Sequence, residues 1–407
     1  MKKQLLFTTS LLLSSAMAFA AGYQINLQGL RQLAMGGSGT AIAWDASTIF
    51  YNPGGLSELD HIQAQASMIA VMPTTEFVQG SYTASTQSQV FTPFNVYVGG
   101  PVAYKSRVNW GIGIYTPFGT GVKWEENWAG RYMVTNIQLK TVFFQPTASF
   151  RINDYVSVGA GFIYAMGNMQ LNRNLPLQNQ NLLDGKADLN GDAHGIGYNL
   201  GVQVKPSYRV TLGVNYRSRV NMKVNQGNVQ FTVPNALTNQ FPLTSFSSEL
   251  PLPSVTSIGI GYKLTDELTI QGDFNFTAWS AYENLSFDYA QNTSLLQDTR
   301  EERNYQNTLS FRLGGHLEVS DKVALMIGGA WDPSPVRDGI VTPDLPDANR
   351  WLATGGITYK PAEKLTLMAA VEYVSSLKRD SRYDAAGFNG MYKTTALNPG
   401  IGLSFDF

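Results

Sequence analysis

The sequence predicts an all-β fold: a 14-stranded antiparallel transmembrane β-barrel with a small N-terminal hatch, or plug, inside it. Three observations carry this prediction: apolar and polar residues alternate at the end of the chain, the alternation recurs upstream, and short and long connections succeed each other regularly. A period of two residues is that of a strand with one apolar and one polar face. In a membrane barrel the apolar face contacts lipid and the small or polar face lines the lumen.

The composition fits a membrane barrel and excludes several other classes of protein. The 407 residues carry a formal net charge of -1, which gives no electrostatic case for nucleic-acid binding. Charged residues make up 14%, compared with about 25% in soluble domains. The mean hydropathy of -0.12 resembles that of a soluble protein, because each strand averages an apolar face with a polar one. Cysteine is absent, so the chain has no disulfide, thiol nucleophile or thiolate metal site.

Residues 1–20 are predicted to form a secretory signal peptide. Lys2 and Lys3 precede an apolar stretch over residues 5–13, and Ala18-Phe19-Ala20 provides small residues for cleavage after Ala20. The alternative is a single membrane anchor. The apolar stretch is shorter than the roughly 18 residues that a spanning helix needs, which disfavours the anchor.

Residues 21–60 are predicted to form the hatch. They are rich in glycine and alanine, show no strand periodicity and include Asn52-Pro53-Gly54 near their end. The alternative is a disordered periplasmic arm. Apolar residues such as Leu30 and Trp44 disfavour disorder, because a disordered segment lacks the means to bury them.

Residues 61–407 are predicted to form the outer-membrane barrel. Six short turns are marked by turn-forming residues: Ser106-Arg107, Asn153-Asp154, Lys205-Pro206-Ser207, Thr265-Asp266, Ser320-Asp321 and Pro361-Ala362-Glu363. Seven longer polar stretches lie between them, around residues 78–88, 118–133, 172–194, 224–250, 290–303, 334–349 and 380–388. Thirteen connections join fourteen strands, and an even strand number with short turns on one side is typical of outer-membrane barrels. With both termini periplasmic, the long loops face outside the cell.

The last strand shows the alternation most clearly. One set of alternate residues is apolar: Leu397, Pro399, Ile401, Leu403, Phe405 and Phe407. This strand is expected to close the barrel against the strand that starts near His61. The terminal Phe407 resembles the end signal that outer-membrane barrels present to their assembly machinery, an expected partner. Outer-membrane lipid and lipopolysaccharide are the expected surroundings, and a monomer is expected because a closed barrel leaves no sheet edge to pair.

Several short segments, in the same order along the chain, resemble one known family. They are Ala21-Gly22-Tyr23-Gln24-Ile25-Asn26, Gly39-Thr40-Ala41-Ile42-Ala43-Trp44-Asp45-Ala46, Asn52-Pro53-Gly54, Trp128-Ala129-Gly130-Arg131-Tyr132, Gly191-Asp192-Ala193-His194-Gly195, Tyr216-Arg217-Ser218-Arg219, Leu252-Pro253-Ser254, Thr277-Ala278-Trp279-Ser280, Asp332-Pro333-Ser334-Pro335-Val336 and Pro346-Asp347-Ala348-Asn349-Arg350. Together they resemble the long-chain fatty acid transporter family (FadL type), including its aromatic-hydrocarbon members (TodX type).

The resemblance implies a fourteen-stranded outer-membrane barrel closed by a hatch, and passive uptake of hydrophobic small molecules. It also implies capture in an apolar groove between extracellular loops, transfer to an internal site as the hatch N-terminus shifts, and lateral exit at a kink in the third strand. Long-chain fatty acids are the expected substrates. Uptake of neutral aromatic hydrocarbons by the same route, a general porin, and a surface receptor or adhesin are the alternatives.

Two short motifs match expected parts of this mechanism. Asn52-Pro53-Gly54 matches the family's hatch motif except for glycine at the third position, and Asn52 is expected to tie the hatch to the barrel wall. The alternative is an ordinary turn, since both dipeptides are common in turns. Pro117-Phe118-Gly119 lies where the family's strand kink is expected, because proline removes a ladder donor and glycine weakens a strand. The alternative is the end of a strand before a long loop.

Apolar residues in the long loops need an explanation. They are Trp124, Trp128, Leu175, Leu177, Leu182 and Leu183. They are interpreted as a capture groove for hydrophobic molecules. Packing of the loops against each other is the alternative, and both interpretations are compatible.

Charged residues are predicted to fall on the lumen side of the strands. Arg217, Arg219 and Arg312 are interpreted as a network with Asp273, Glu318 and Glu372, while contact with a substrate carboxylate is the alternative. At positions aligned with the family's basic internal residues, this chain has Met166 and Gln306. That difference leaves room for neutral hydrocarbons as substrates.

No enzymatic or cofactor site is predicted. His61, His194 and His316 lie far apart in the sequence and lack metal-ligand spacing. A hydrolase would need a nucleophile held beside a base, and no stretch suggests such a pair. Neither a cofactor nor a metal is therefore expected.

Overall fold

The computed structural model describes residues 22–178 and 183–407. The predicted signal peptide, residues 1–20, and Leu182 of the predicted capture groove lie outside these described residues. Two α-helices, Leu30–Ala34 (α1) and Thr48–Tyr51 (α2), and a 3-10 helix, Pro53–Glu58, precede the first strand. In the described part of the chain, no helix combines the length and the apolar character needed to cross a membrane.

Twenty-two β-segments follow in the described part of the chain. They are β1 (Gln63–Ile69), β2 (Met72–Gln79), β3 (Tyr82–Ser85), β4 (Phe94–Pro101), β5 (Val108–Tyr115), β6 (Gly119–Lys123), β7 (Asn136–Arg151), β8 (Val156–Leu175), β9 (Gly185–Val204), β10 (Val210–Arg217), β11 (Val220–Thr232), β12 (Thr244–Leu252), β13 (Val255–Lys263), β14 (Leu268–Thr277), β15 (Asn284–Tyr289), β16 (Thr299–Glu302), β17 (Thr308–Ser320), β18 (Val323–Asp332), β19 (Arg350–Ala362), β20 (Leu365–Ser376), β21 (Arg379–Tyr383) and β22 (Phe388–Asp406).

These segments form a closed barrel of fourteen antiparallel strands. Eight barrel strands consist of two consecutive segments, of which β3 with β4 (the second barrel strand) and β5 with β6 (the third) matter most below. Each barrel strand pairs with its neighbours in chain order, and β22 closes the ring against β1, with Gln63 opposite Asp406. The predicted strand number and closing pair are therefore confirmed. Closure pairs the first barrel strand with the last, so neither is left as a sheet edge.

The predicted alternation of faces is confirmed along the strands. Outward residues such as Ile327, which is 71% exposed, alternate with buried residues that face the lumen. In the last strand Leu397, Ile401 and Leu403 are exposed on the outside, as predicted. A band of exposed apolar side chains therefore surrounds the barrel where lipid would contact it.

One predicted lumen residue faces outward. Arg219 lies in the two-residue break between β10 and β11, and it is exposed. The break shifts the alternation, so Arg217 and Val220 both point inward and Arg219 takes the opposite face. The prediction of a lumen-facing Arg219 assumed one unbroken strand and is wrong.

The predicted loop over residues 172–194 is mostly strand. β8 extends to Leu175 and β9 begins at Gly185, so the connection is only residues 176–184. Both strands continue beyond the apolar band, where outward Asn168 hydrogen bonds Asn190 and Asp192. Polar outward residues resemble a loop in the sequence, although here they belong to a paired sheet.

Residues 22–59 lie inside the barrel, where inward-facing side chains bind their backbone. Gln271 Nε2 donates to the Ser38 carbonyl at 2.7 Å, and Gln203 Nε2 donates to Ala41 at 2.7 Å. An irregular buried segment needs such partners because its peptide groups lack a regular ladder. This arrangement is consistent with the predicted hatch.

Candidate functional site

The third barrel strand is interrupted at Pro117 and Phe118. β5 ends at Tyr115 and β6 resumes at Gly119, still paired with β7. Proline has no N–H to donate, which removes one ladder hydrogen bond at this point. Since the strand resumes beyond these residues, the predicted site lies at an interruption within the strand and not at its end.

The neighbouring second barrel strand is interrupted at the same height. Its segments β3 and β4 are separated by residues 86–93. The last residue pair between the second and third barrel strands is Asn95 with Tyr115, and the next backbone hydrogen bond between them runs from Gln87 N to Lys123 O at 2.7 Å. The two interruptions leave an unpaired gap in the barrel wall.

The N-terminal segment covers this gap from inside. Ile25 N donates to Pro117 O at 2.9 Å, and Gly119 N donates to Tyr23 O at 3.0 Å. These bonds flank an antiparallel bridge between Gln24 and Phe118. The start of the described chain thus acts as a short additional strand on the interrupted part of the wall.

A cavity of about 510 Å³ lies behind and beside this short strand. Its inner end is polar, with Asp332, Arg350, Glu372 and Asn398. Its middle is mainly apolar and includes Leu27, Phe91, Phe118, Leu139, Leu352 and Val374. Outward-facing residues of the wall, including Val90, Phe94 and Val142, also line it. The cavity, called the chamber below, therefore extends from the lumen to the lipid-facing side at the gap.

The inner end of the chamber carries a belt of charges on neighbouring strands. Arg312 Nη2 donates to Asp332 Oδ1 at 2.7 Å, and Arg350 Nη2 lies 3.6 Å from Asp332 Oδ2. Asn398 Nδ2 donates to Glu372 Oε1 at 2.8 Å. The positive charges of the two arginines balance the negative charges of Asp332 and Glu372. Arg350 Nε is buried without a hydrogen-bond partner in the described structure, which leaves one donor of the belt free.

A loop carboxylate holds the start of the N-terminal segment. Asp347 Oδ2 accepts from Gly22 N at 3.1 Å and from Ser334 Oγ at 3.0 Å. Burial raises the pKa of the Asp347 carboxyl, an effect that Arg350 and the Gly22 N–H oppose. The same residue lines the chamber, so one loop side chain contacts both the chamber and the segment that covers the gap.

The predicted lumen residues Asp273, Arg312 and Arg217 bind the N-terminal segment. Asp273 Oδ2 accepts from Gly39 N at 2.8 Å, Thr40 N at 3.0 Å and Thr40 Oγ1 at 2.9 Å. Arg312 Nη1 donates to Gly36 O at 3.0 Å.

Arg217 Nη2 donates to Phe50 O at 2.6 Å, and its guanidinium lies 3.7 Å from the centre of the Phe50 ring. Among the described residues Arg312 forms its ion pair with Asp332, a carboxylate that the predicted network with Asp273, Glu318 and Glu372 did not include. The inward-facing charges mainly satisfy the backbone of the enclosed segment.

The Asn52-Pro53-Gly54 motif contacts the barrel wall at β8 and β9, the fifth and sixth barrel strands. Asn52 Nδ2 donates to Val202 O of β9 at 3.0 Å and to Thr40 O at 2.8 Å. Glycines on the wall allow this approach: a Cβ at Gly201 would lie 2.1 Å from Asn52 Oδ1. The motif is separate from the chamber lining.

The loop tryptophans are packed together. Trp124 and Trp128 are buried and stacked, with ring centres 4.3 Å apart. Their indole N–H groups donate to Pro343 O at 3.1 Å and Val134 O at 2.8 Å. In this structure they join the loops to each other and do not line an open groove.

The predicted leucines lie at the end of β8 and in its loop. Leu175 and Leu177 are half-buried, and Leu183 is 61% exposed. Met166 was aligned with a residue of the internal site, but its side chain is 46% exposed and faces outward. The predicted internal position of Met166 is therefore wrong. Gln306 donates its backbone N–H to Pro335 O at 2.9 Å in the loop region.

The sequence interpretation missed most of the residues that line the chamber. Asp332 and Arg350 follow the inward alternation of their strands, so the pattern that placed Glu372 in the lumen could have identified them as well. Nothing local indicates that Gln24, Asp347 and Lys140 lie at the same chamber, because they are far apart in sequence.

A closed barrel with an apolar outer wall, a filled lumen and a chamber reaching the lipid face defines an outer-membrane transporter of hydrophobic molecules. The family described as "Outer membrane protein transport protein (OMPP1/FadL/TodX)" matches residues 11–407. The chain belongs to this family of transport channels, which are not enzymes. It is an outer-membrane protein that crosses the membrane with its strands.

Individual relatives agree over nearly the whole chain. The long-chain fatty acid transport protein of Salmonella typhi is 24% identical, with 92% of this chain and 93% of the relative covered. A crystal structure of a Pseudomonas aeruginosa FadL homologue superposes with a TM-score of 0.83 at 19% identity, covering 95% of this chain and 100% of that one. The P. putida toluene transporter TodX gives 0.74 at 13% identity, covering 93% and 98%. Both structures support the fold.

Proposed function

We propose that this protein is a passive channel for long-chain fatty acids, which it captures at its extracellular loops and releases sideways into the outer membrane. The observation that carries the proposal is the chamber of about 510 Å³. It has a charged inner end, a mainly apolar middle and an outer mouth at the gap between two interrupted strands. Such a shape suits an elongated molecule with one polar end.

The first step is capture near the loops that hold Leu175, Leu177 and Leu183. Removing a hydrocarbon chain from water is favourable by about 0.8 kcal/mol for each CH₂ group buried. The binding step therefore needs no energy source. Movement of the packed tryptophans Trp124 and Trp128 would enlarge the apolar surface available to the substrate.

The second step is transfer into the chamber, where the free Nε of Arg350 is available to a carboxylate. A charge-assisted hydrogen bond there would orient the headgroup towards the belt and the chain along the apolar middle. Exit then requires the Tyr23–Ile25 strand to leave Pro117 and Gly119, because these bonds cover the gap. The two backbone hydrogen bonds contribute about 1 kcal/mol each. Displacement also has to release Gly22 N from Asp347 and the buried Tyr23 side chain from Trp279 and Pro251 O.

The named relatives support two substrate classes. One is a long-chain fatty acid transport protein and another is a toluene transporter. The free donor on Arg350 favours a carboxylate, whereas the overall charge balance of the belt favours a neutral ligand. Uptake of neutral aromatic hydrocarbons is therefore kept as the second candidate function.

The test is uptake by cells that lack their own long-chain fatty acid transporter. Cells expressing this protein are expected to accumulate labelled oleate faster than cells with the empty vector. Labelled toluene measured in the same cells separates the two substrate classes. If expression increases the uptake of neither compound, the proposed channel function is wrong.

A further inference from the structure

The chamber has a second cation, at its outer mouth. Lys140 lies on β7 directly opposite Gly119, where the third barrel strand resumes after the gap. It lines the chamber together with Val142, and both side chains are on the outward face of β7. On the same strand Leu139, Thr141 and Phe143 are buried on the inward face. Lys140 therefore belongs to the exit side of the chamber.

Lys140 lies at the border of the apolar band. One row nearer the turns, Val142 pairs with Met166, and Phe144 follows as the next exposed apolar side chain of β7. Lys140 itself pairs with Asn168, which begins the polar outward surface shared with Asn190 and Asp192. A lysine at such a border keeps its ammonium group in the polar region while its aliphatic stem lies along apolar surface.

Unlike the inner cations, Lys140 has no acidic partner. In the described ranges 22–178 and 183–407, no carboxylate oxygen lies within the 4.0 Å ion-pair distance of its Nζ, whereas Arg312 and Arg350 share Asp332. It is also exposed, so its charge is available to a molecule that leaves the chamber. The outer mouth thus presents a cation that has no ion-pair partner among the described residues and lies beside an apolar surface.

We propose that Lys140 receives the carboxylate of a fatty acid as it leaves the chamber sideways, and so favours acidic over neutral substrates. The inference rests on the proposed function. A chain entering the hydrocarbon region through the gap must leave its charged headgroup at the polar border, because burying an unpaired carboxylate is costly. Lys140 is placed at this border and on this side of the gap. A neutral hydrocarbon makes no use of the charge.

The test compares substrates that differ only in headgroup charge. Initial uptake of labelled oleate and of oleyl alcohol, which has the same chain, is measured for the unaltered protein, Lys140→Gln, Lys140→Met and Lys140→Arg. The glutamine and methionine variants are expected to lower oleate uptake about two- to fivefold, the effect of one exposed ion pair. Oleyl alcohol uptake stays unchanged, and Lys140→Arg retains oleate uptake.

Lys223 provides a control of the same residue type on the same face, although its Nζ lies 3.9 Å from Glu249 Oε2. It is also an outward lysine near the border of the apolar band, opposite His194, which in turn pairs with Met166. Two barrel strands, β8 and β9, separate it from β7, and it is outside the chamber lining. Lys223→Gln is expected to leave uptake of both compounds unchanged. Heat-modifiable migration in gels confirms that each variant forms a barrel, and Lys140→Met keeps the length of the side chain if the glutamine variant assembles poorly.

Each outcome separates the inference from the proposed function. If the unaltered protein takes up oleate and the Lys140 variants do so equally well, the inference is wrong and the channel function stands. Equal losses for oleate and oleyl alcohol would show that Lys140 shapes the mouth without recognising charge, which also overturns the inference. If the unaltered protein fails to take up oleate, the proposed fatty acid function fails, and the role of Lys140 fails with it.

Discussion

Single side chains of the barrel wall determine where the enclosed segment lies. The Asn52 side chain joins three parts of the backbone. Its Nδ2 donates to Val202 O and Thr40 O, and its Oδ1 accepts from Gly54 N at 3.0 Å. Asp273 binds three donors of residues 39 and 40 in the same way. Each lost partner leaves a buried polar group unsatisfied, at a cost of roughly 1–3 kcal/mol.

Replacing Asn52 with alanine tests the anchoring role at the residue scale. Loss of its hydrogen bonds to Val202 and Thr40 is expected to loosen the enclosed segment and reduce oleate uptake severalfold, since each bond contributes about 1 kcal/mol. The barrel itself should assemble normally. Asn168→Ala is the control, because Asn168 makes its hydrogen bonds on the outer surface. Unchanged uptake by Asn52→Ala would mean that the motif is only a turn.

At the scale of elements, the important feature is the coincidence of two interruptions. The second barrel strand is broken over residues 86–93 and the third over residues 116–118. One interruption alone would leave the neighbouring ladder to close the wall. Together they open a gap that Tyr23–Ile25 covers from inside. A short strand without a complete ladder is easier to displace than any barrel strand, because few hydrogen bonds hold it.

Replacing Gly119 with valine is expected to obstruct the gap. A Cβ at this position would lie 2.9 Å from Ile25 Cδ1 and 3.1 Å from Leu139 O, and the branched side chain would add further contacts. Uptake of oleate and toluene should both fall. Gly315→Val is the matched control, because no heavy atom lies within 4 Å of a Cβ built there. Equal uptake by the two variants would argue against passage through the gap.

A reversible cross-link tests whether the covering strand must move. The chain has no cysteine, so Gln24→Cys combined with Phe118→Cys introduces a single pair. The hydrogen bonds on either side of Gln24 and Phe118 make them a non-hydrogen-bonded antiparallel pair, with Cα atoms expected about 4.5 Å apart. This distance is compatible with a disulfide.

The oxidised double variant should lose uptake, and reduction should restore it. Each single cysteine variant serves as a control for the loss of the original side chain, in particular of Phe118, which packs beside Tyr23 and Phe143. If oxidised and reduced cells take up oleate at the same rate, displacement of this strand is unnecessary for transport.

At the scale of the whole molecule, the lumen is filled rather than open. The N-terminal segment occupies the barrel, and the loops close over one end. Buried Arg303 pairs with Glu301 at 3.0 Å and Asp344 at 3.1 Å, and Trp124 joins a second loop through Pro343. A filled barrel differs from a general porin, which needs a continuous aqueous channel.

Planar bilayer recordings test this difference. The intact protein is expected to show no large, steady conductance. Asp273→Ala, which removes the acceptor for Gly39 and Thr40, should produce brief openings as the segment loosens. Asp188→Ala is the control, since Asp188 is on the polar outward surface beyond the apolar band. A large, steady conductance of the unaltered protein would favour the porin alternative.

The barrel was predictable because its signal is local. Each strand repeats a two-residue period, and the turns that separate strands have characteristic residues. Both are visible as patterns along the sequence. The final strand, predicted over residues 397–407, is found over Phe388–Asp406. Arg219 and residues 172–194 were misread for a related reason: a break shifts the alternation, and strands above the membrane resemble loops.

By itself, the sequence determined the class of fold, the outer-membrane environment and the resemblance to a family. Only the tertiary structure decided where the chamber lies and what surrounds it. Gly22 and Asp347, which meet through a hydrogen bond, are 325 residues apart, and Lys140 and Arg350 lie at opposite ends of one cavity. Barrel closure brings such residues together through strand register and tilt, which depend on every strand at once. No local period encodes that proximity.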